Sequence, residues 1–298
     1  MGFFGGIEAG GTKFVCIVTD ENARILAETR FPTTLPEETL RRTVDFFKHW
    51  MAEQRLALQG VGIASFGPVD LRVGSETFGT ITSTPKPGWK NASVAAVIEK
   101  ELAIPVFFDT DVNGAALGEG RWGAAQGLSD FLYITIGTGV GGGAICAGKP
   151  LHGLVHPEMG HVFLPHDRLA DPFDGNCPFH SDCFEGLASG PALKKRWGIP
   201  ADKLPPDHPG WELEAQYIAL ALSSFIYTLS PQRIILGGGV MAQSQLFPMI
   251  RKKIYSLLNG YVQSPELLSG IDSYVVPPGL GNQAGSLGAV ALVMQEYS

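Results

Sequence analysis

Basic residues are scarce in this chain. Its 22 Lys and Arg stand against 29 Asp and Glu, a formal net charge of −7. No basic face is large enough to neutralise a phosphate backbone, so nucleic acid is not an expected partner. Long apolar runs are missing as well. Even Ile218–Tyr227 is interrupted by Ser223 and Ser224, well short of the ~18–20 residues a membrane span needs. The opening Met1-Gly2-Phe3-Phe4-Gly5-Gly6 has no basic n-region, and position 6 is Gly where a myristoylation pattern needs Ser or Thr. We therefore expect a cytoplasmic protein that binds no membrane. There is no Walker A loop, and no glycine fingerprint that opens a helix as a Rossmann site does.

Glycine is in surplus, with 38 of 298 residues gathered mostly in short clusters, nearly double the ~7% average usage. Such clusters mark places where backbone turns sharply or approaches something closely. The chain is long enough to exceed one comfortable core, which predicts two lobes. Strands are predicted at Phe3–Ala9, Lys13–Thr19 and Arg24–Phe31, followed by a helix over Pro36–Gln54 in which Leu40, Val44, Phe47 and Met51 recur at helical spacing. A strand near Val61–Ser65, a helix near Val94–Leu102 and a buried strand Val106–Asp109 complete a βββαβαβ order. A second pass begins at Phe131–Ile136, turns through Gly137–Gly143 and resumes as a strand at Ala144–Ala147. It continues with helix Glu212–Leu229, strand Arg233–Leu236, and helices near Gln243–Leu257 and Ala284–Glu296. This repetition predicts two α/β lobes facing a cleft. The first lobe is expected at 1–112, with the helix of 284–298 packing back on it, and the second at 113–283. An irregular insertion at 148–191 belongs to the second.

Three groups of residues carry chemistry. Glu8-Ala9-Gly10-Gly11-Thr12-Lys13 and Gly137-Thr138-Gly139 each place small residues and a Thr hydroxyl at a strand turn, where backbone N–H groups can cradle phosphate oxygens. A third glycine cluster, Gly237–Gly239, follows a strand. Asp111, where a buried strand meets a helix, either caps that helix or projects a general base toward a hydroxyl. His161, Cys177, His180 and Cys183 have spacing suited to one closed, structural zinc site. Buried thiols beside surface histidines, or a disulfide, are the alternatives. Cys16 and Cys146 lie in apolar strands and read as core.

Glu8-x-Gly-Gly-Thr-Lys, Ile136-Gly-Thr-Gly-Val-Gly-Gly-Gly and Leu236-Gly-Gly-Gly resemble the nucleotide-binding segments of ROK kinases, and the resemblance runs essentially the full length. It implies a two-lobed actin-like ATPase (ribonuclease-H-like) α/β fold, each lobe a mixed sheet with helices. It implies ATP with Mg²⁺ and a hexose as ligands, and a homodimer. By that resemblance Gly10, Gly11, Thr12, Lys13, Thr138 and Gly139 meet the β- and γ-phosphates, while Gly238, Gly239 and Pro191 flank the adenosine. Glu8 stands where most relatives carry Asp, and would approach Mg²⁺ through water. Asp109-Thr110-Asp111-Val112-Asn113-Gly114-Ala115-Ala116 resembles the Asn-Asp-x-Asn-Ala-Ala motif. Asp111 then matches the base and Asn113 the following Asn, with Thr110 in place of an Asn that binds sugar. Ser65-Phe66-Gly67-Pro68-Val69-Asp70 resembles a sugar-side loop that brings in Gly67 and Asp70. Glu158-Met159-Gly160-His161 resembles the Glu-x-Gly-His sugar motif, with Glu158 on the hydroxyls and His161 on zinc, and Glu185 is a further contributor. The spacing Cys-x-x-His-x-x-Cys is similar to the fructokinase-type branch, which implies transfer of the ATP γ-phosphoryl group to fructose. A glucokinase or mannokinase of the same family is the near alternative. A sugar-sensing, non-catalytic regulator is the distant one, and for a DNA-binding repressor the phosphate turn at Glu8 leaves no room for a preceding helix-turn-helix.

Overall fold

The structure is a computed structural model and describes residues 2–295. It divides into two compact units. The first comprises Met1–Gly127, Pro150–His156 and Gly279–Ser298, and the second Leu128–Lys149 and Pro157–Pro278. The boundary expected at 112 thus falls at Gly127. The helix that follows Asp111 stays with the first unit because it packs on the C-terminal helix, and the short stretch 150–156 returns to that unit as well.

In the first unit, β1 (Phe3–Ala9), β2 (Lys13–Asp20) and β3 (Ile25–Pro32) form the expected meander, and α1 (Pro36–Gln54) follows. Next come β4 (Gly60–Ser65), α2 (Val94–Leu102), β5 (Val106–Thr110) and α3 (Asp111–Trp122). The sheet order is β3-β2-β1-β4-β5, antiparallel among the first three and parallel from β1 onward. Register decides what this sheet presents. Ala9 pairs with Ser65 and Ser65 with Thr110, so three parallel strands end level with one another. The Gly10–Lys13 turn, the Phe66–Asp70 loop and the head of α3 therefore leave from the same sheet edge, which is where α/β folds place their ligands. One face of the sheet is covered by α1 and α2 over a core that includes Phe14, Phe47, Ile63, Trp89 and Ile98.

The other face carries the C-terminal helix Ala284–Met294, whose residues are nearly all buried. An amphipathic stripe would be wrong for a helix enclosed all round, and this sequence has none: it reads Ala-Gly-Ser-Leu-Gly-Ala-Val-Ala-Leu-Val-Met. It comes so close to β4 that a β-carbon on Gly62 would overlap the Ala289 carbonyl. The helix was expected to run to Glu296, which lies outside the described residues.

In the second unit, β6 (Phe131–Ile136) and β7 (Val140–Cys146) form a hairpin. Then come α4 (Phe184–Ala188), α5 (Gly190–Trp197), α6 (Gly210–Leu229), β8 (Arg233–Gly237) and α7 (Leu246–Leu258). β8 lies parallel to β6, with Thr135 opposite Gly237. The glycine turn expected to extend to Gly143 is shorter. β7 starts at Val140, and Gly141–Gly143 are ladder residues opposite Thr135, Ile134 and Tyr133. Glycine is tolerated there because another chain segment presses on the strand: a β-carbon on Gly142 would stand 2.6 Å from Met159 Sδ. Apart from a two-residue strand at Lys149–Pro150 and one 3-10 turn at Met159–His161, the insertion is irregular up to Cys183 and then becomes helical as α4 and α5, earlier than its expected end at Pro191.

Candidate functional site

In the first unit the turn after β1 is tied down on both sides. Gly10 N donates to Lys13 O (3.0 Å), Thr33 N donates to Thr12 O (3.0 Å), and the Thr33 hydroxyl donates to Gly10 O (2.7 Å). Gly11 faces open space and Thr12 is exposed, so their amides are not walled off by side chains. Glu8 lies at the root of this turn, against Gly285 in the first turn of the C-terminal helix. Burial raises its pKa and the Lys13 charge opposes the rise.

Thr110, not Asp111, is the N-cap of α3: its side chain accepts from Asn113 N at 3.1 Å. A residue with φ −66° and ψ 155° and a hydroxyl is well suited to the cap. Asp111 is the first helical residue, and its carboxylate accepts from Val112 N (2.9 Å). It stands at the positive end of the helix, where a carboxylate is favoured. Asn113, expected on the sugar, is 1% exposed and donates its amide to Asp109 Oδ1 (2.8 Å). Asp70, also expected on the sugar, is occupied too. Its Oδ1 accepts from Arg72 N and Nε, and its Oδ2 from Arg72 Nη2, Ser75 Oγ and Thr77 Oγ1, all within 3.0 Å. These partners, Arg72 foremost, hold its pKa well below the usual carboxylate range. Asp70 organises the loop from within. Gly67 lies beside the His156 ring, and Val69 N donates to His156 Nε2 at 3.2 Å.

The second unit gathers three distant glycine segments. Gly137 N donates to Gly139 O, and Gly190 N to Gly137 O, each at 2.8 Å. A β-carbon on Gly137 would stand 3.6 Å from Gly239 N. Gly238 has φ +92° and lies against the backbone of Ile136, a position that only glycine takes without strain. Thr138, Gly139, Gly238, Gly239 and Pro191, in the first turn of α5, thus come together at one end of the β6–β8 sheet.

Two carboxylates adjoin them. Glu185 of α4 accepts from Val140 N (3.0 Å). Glu158 begins the short turn Met159–His161, in which His161 N donates back to Glu158 O (3.0 Å). Glu158 keeps exposed surface, yet the protein packed around its carboxyl pushes the pKa up to about 6, by burial first and by the Glu185 charge second. Gly160 allows this turn to lie directly on the Val140 carbonyl.

His161 Nδ1, Cys177 Sγ, His180 Nδ1 and Cys183 Sγ form one cluster, with all four ligand atoms within 4.8 Å of one another. The sulfur–nitrogen separations are 3.8 Å (Cys177–His161), 3.7 Å (Cys177–His180) and 3.6 Å (Cys183–His161). Tetrahedral bonds of ~2.3 Å to sulfur and ~2.05 Å to nitrogen would put such atoms about 3.6 Å apart, so the residues fit a zinc ion. A knuckle builds the cluster: Cys177 and Ser181 exchange both backbone hydrogen bonds, and Cys183 pairs with Phe163 and caps α4. Asp182 beside it is held by His166 Nδ1 (3.0 Å) and Arg168 (2.6 Å).

Sequence reading passed over Asp109, His152 and His156, although an acid at the end of the apolar run Val-Phe-Phe was a visible signal for Asp109.

The chain is similar along nearly its whole length to known proteins. The ROK family profile matches residues 4–296. A Bacillus subtilis relative is 50% identical over 98% of this chain and 95% of its own. The fructokinase of Zymomonas mobilis is 44% identical over 98% of this chain and 96% of its own. Among solved structures, a ROK hexokinase from Thermus thermophilus superposes with a TM-score of 0.82 at 26% identity, over 99% of both chains. A ROK family glucokinase from Streptomyces griseus, solved with glucose and AMPPNP, gives 0.75 at 28% identity over 99% of this chain and 100% of that one. The expected fold class, a two-lobed α/β actin-like ATPase, is the one this chain has.

Proposed function

From the ROK family, to which this chain belongs, we propose an ATP-dependent fructokinase in which Asp111 is the general base. The observation that carries the assignment is the head of α3. Thr110 performs the capping, leaving an ionisable carboxylate at a sheet edge level with the Gly10–Lys13 turn. Asp111 takes the proton from a fructose hydroxyl, and that oxygen then attacks the γ-phosphorus of ATP as the bond to ADP breaks. Amides of Gly11, Thr12 and Lys13, and likewise those of Thr138 and Gly139, bind phosphate oxygens through hydrogen bonds that strengthen as charge develops. Gly238, Gly239 and Pro191 take the adenosine. Mg²⁺ accompanying the nucleotide would supply charge neutralisation, and Glu8 is the residue that would approach it.

Glu158 accepts hydrogen bonds from sugar hydroxyls. Asp70 shapes the loop that carries Gly67, and Asn113 acts through Asp109. His161, Cys177, His180 and Cys183 would hold Zn²⁺ through four protein ligands, the pattern of a structural site. Its purpose follows from the chain. His161 is three residues past Glu158 and Cys183 two before Glu185, so one ion ties down both carboxylate-bearing segments. The enzyme works in the cytoplasm, where these thiols stay reduced, and it assembles as a homodimer, a point for analytical ultracentrifugation.

A coupled assay over fructose, mannose and glucose tests the assignment, with fructose expected to give the highest kcat/KM. Asp111→Asn should lower kcat by roughly 10²–10⁴-fold while ATP still binds. Turnover near that of the native protein in this variant would remove Asp111 from the chemistry.

A further inference from the structure

Asp109, two residues before Asp111, is 3% exposed. A carboxylate this buried needs donors, and it has them. Oδ1 accepts from Thr110 N (2.7 Å) and Asn113 Nδ2 (2.8 Å), and Oδ2 lies 3.0 Å from His152 Nε2. His152 comes from the stretch Pro150–His156, which clusters with the first unit. Its side chain is 43% exposed, so the ring is fastened at one nitrogen while part of it stays open.

The neighbours decide where the ring proton sits. Asn113 Nδ2 also stands 3.3 Å from His152 Nε2. Turning the Asn113 amide over would press its oxygen against Asp109 Oδ1 at 2.8 Å, acceptor on acceptor. Nδ2 therefore faces Asp109, and His152 donates an Nε2–H to Asp109 Oδ2. That leaves Nδ1 of the neutral ring as an acceptor, with no hydrogen-bond partner among the described residues. The Thr110 hydroxyl nearby is committed to the α3 cap.

Resting on the reading of Asp111 as the base, we propose that His152 contacts the sugar. Asp109 and Asn113 hold it in the Nε2–H tautomer, and Nδ1 accepts a hydrogen bond from a hydroxyl of the hexose. Asp109 and Asn113 are positioning residues that flank Asp111 on both sides in sequence. This constellation selects among hexoses by which hydroxyl can reach Nδ1. Protonation of His152 turns the acceptor into a donor and removes that bond. Asp109 touches the ring and favours the charged form, chiefly through the hydrogen bond, against the opposing effect of burial. On these elements the other titratable groups are Asp111, Glu119 and Arg121 of α3 and His156 further along the same stretch. The acceptor is thus lost as pH falls through a value above the ordinary histidine range.

The test measures kcat and KM for fructose and for ATP from about pH 6 to 9, in the native protein, His152→Ala, His152→Gln and Asp109→Asn. His152→Ala should raise fructose KM roughly 3- to 10-fold, the effect of one neutral hydrogen bond, and leave ATP KM unchanged. His152→Gln, whose amide oxygen can also accept, should recover most of that loss and abolish the part of the acid-side rise in fructose KM that His152 causes. Asp109→Asn should move that rise to lower pH. An unchanged fructose KM in His152→Ala overturns the proposal. So do equal losses for fructose and ATP, which would mark a structural pin, or a native pH profile in His152→Gln. If the native protein phosphorylates no hexose, the reading of Asp111 fails instead. Calorimetric fructose binding by the same four proteins then decides His152 separately, and an unchanged Kd in His152→Ala overturns its role.

Discussion

Sugar affinity should depend on pH through Glu158 in a way that Glu185 controls. Glu158 can accept hydrogen bonds from sugar hydroxyls with both oxygens only when ionised, and its carboxyl titrates at about 6 against an ordinary 4.5. Each pH unit well below that midpoint removes about nine-tenths of the remaining carboxylate, so fructose kcat/KM should fall about tenfold between pH 8 and pH 5. Burial is the larger cause of the shift and the Glu185 charge the smaller. Glu185→Gln, which keeps an oxygen for the bond from Val140 N, should therefore move the acid limb toward lower pH by less than half of the interval between 4.5 and 6. Glu158→Gln should remove this limb. Initial rates of ADP release, coupled to NADH oxidation, give the profile. Running the set in the His152→Gln background separates the Glu158 limb from that of His152. An acid limb that persists in Glu158→Gln, or one that moves upward in Glu185→Gln, would refute the reasoning.

Elemental analysis of the purified protein should find close to one zinc per chain. Stripping the ion with a chelator should lower Tm and raise fructose KM more than ATP KM, because both Glu158 and Glu185 lie next to ligands; unchanged Tm and KM in a demonstrably metal-free sample would contradict this. Glu214 lies fully buried in α6, neither carboxyl oxygen has a hydrogen-bond partner among the described residues, and burial holds its pKa well above 4.5. The folded chain keeps this proton where the unfolded chain releases it, so the stability it contributes is lost as pH rises toward the raised value. Glu214→Gln should gain Tm over the native protein increasingly from pH 5 to pH 8, and a constant or falling difference in thermal melts would count against the buried-acid reading.

Much of the candidate site is legible in the amino-acid order alone. Both glycine turns, Asp111 and the Cys177–Cys183 knuckle rest on short-range patterns in which a few adjacent residues determine a turn, a strand end or a metal knuckle, while His161 joins from 16 residues before Cys177. The strands and helices of the first lobe lie within a residue or two of their expected bounds for the same reason. The departures share a different cause. Gly141–Gly143 read as a turn but are strand, because they pair with Thr135, Ile134 and Tyr133 of β6, and Gly142 lies against Met159 from another part of the chain. Asp70 and Asn113 read as sugar ligands, but each is taken by other protein groups: Asp70 by Arg72, Ser75 and Thr77, and Asn113 by Asp109. Asp111 is ambiguous between cap and base in the sequence, and the structure puts the Thr110 hydroxyl at the cap position.

The sequence by itself determined the periodicities, the turn chemistry and the inventory of donors that recur in this family. Those are local, and local stereochemistry suffices to state them. Only tertiary structure decided which polar atoms were already spoken for and which remained open to a ligand. That Asp109 joins His152, far along the chain, and that strand ends at Ala9, Ser65 and Thr110 stand level, depends on register and packing between distant segments. A buried carboxylate satisfies itself with whatever donors the fold delivers, and no single stretch of sequence names them.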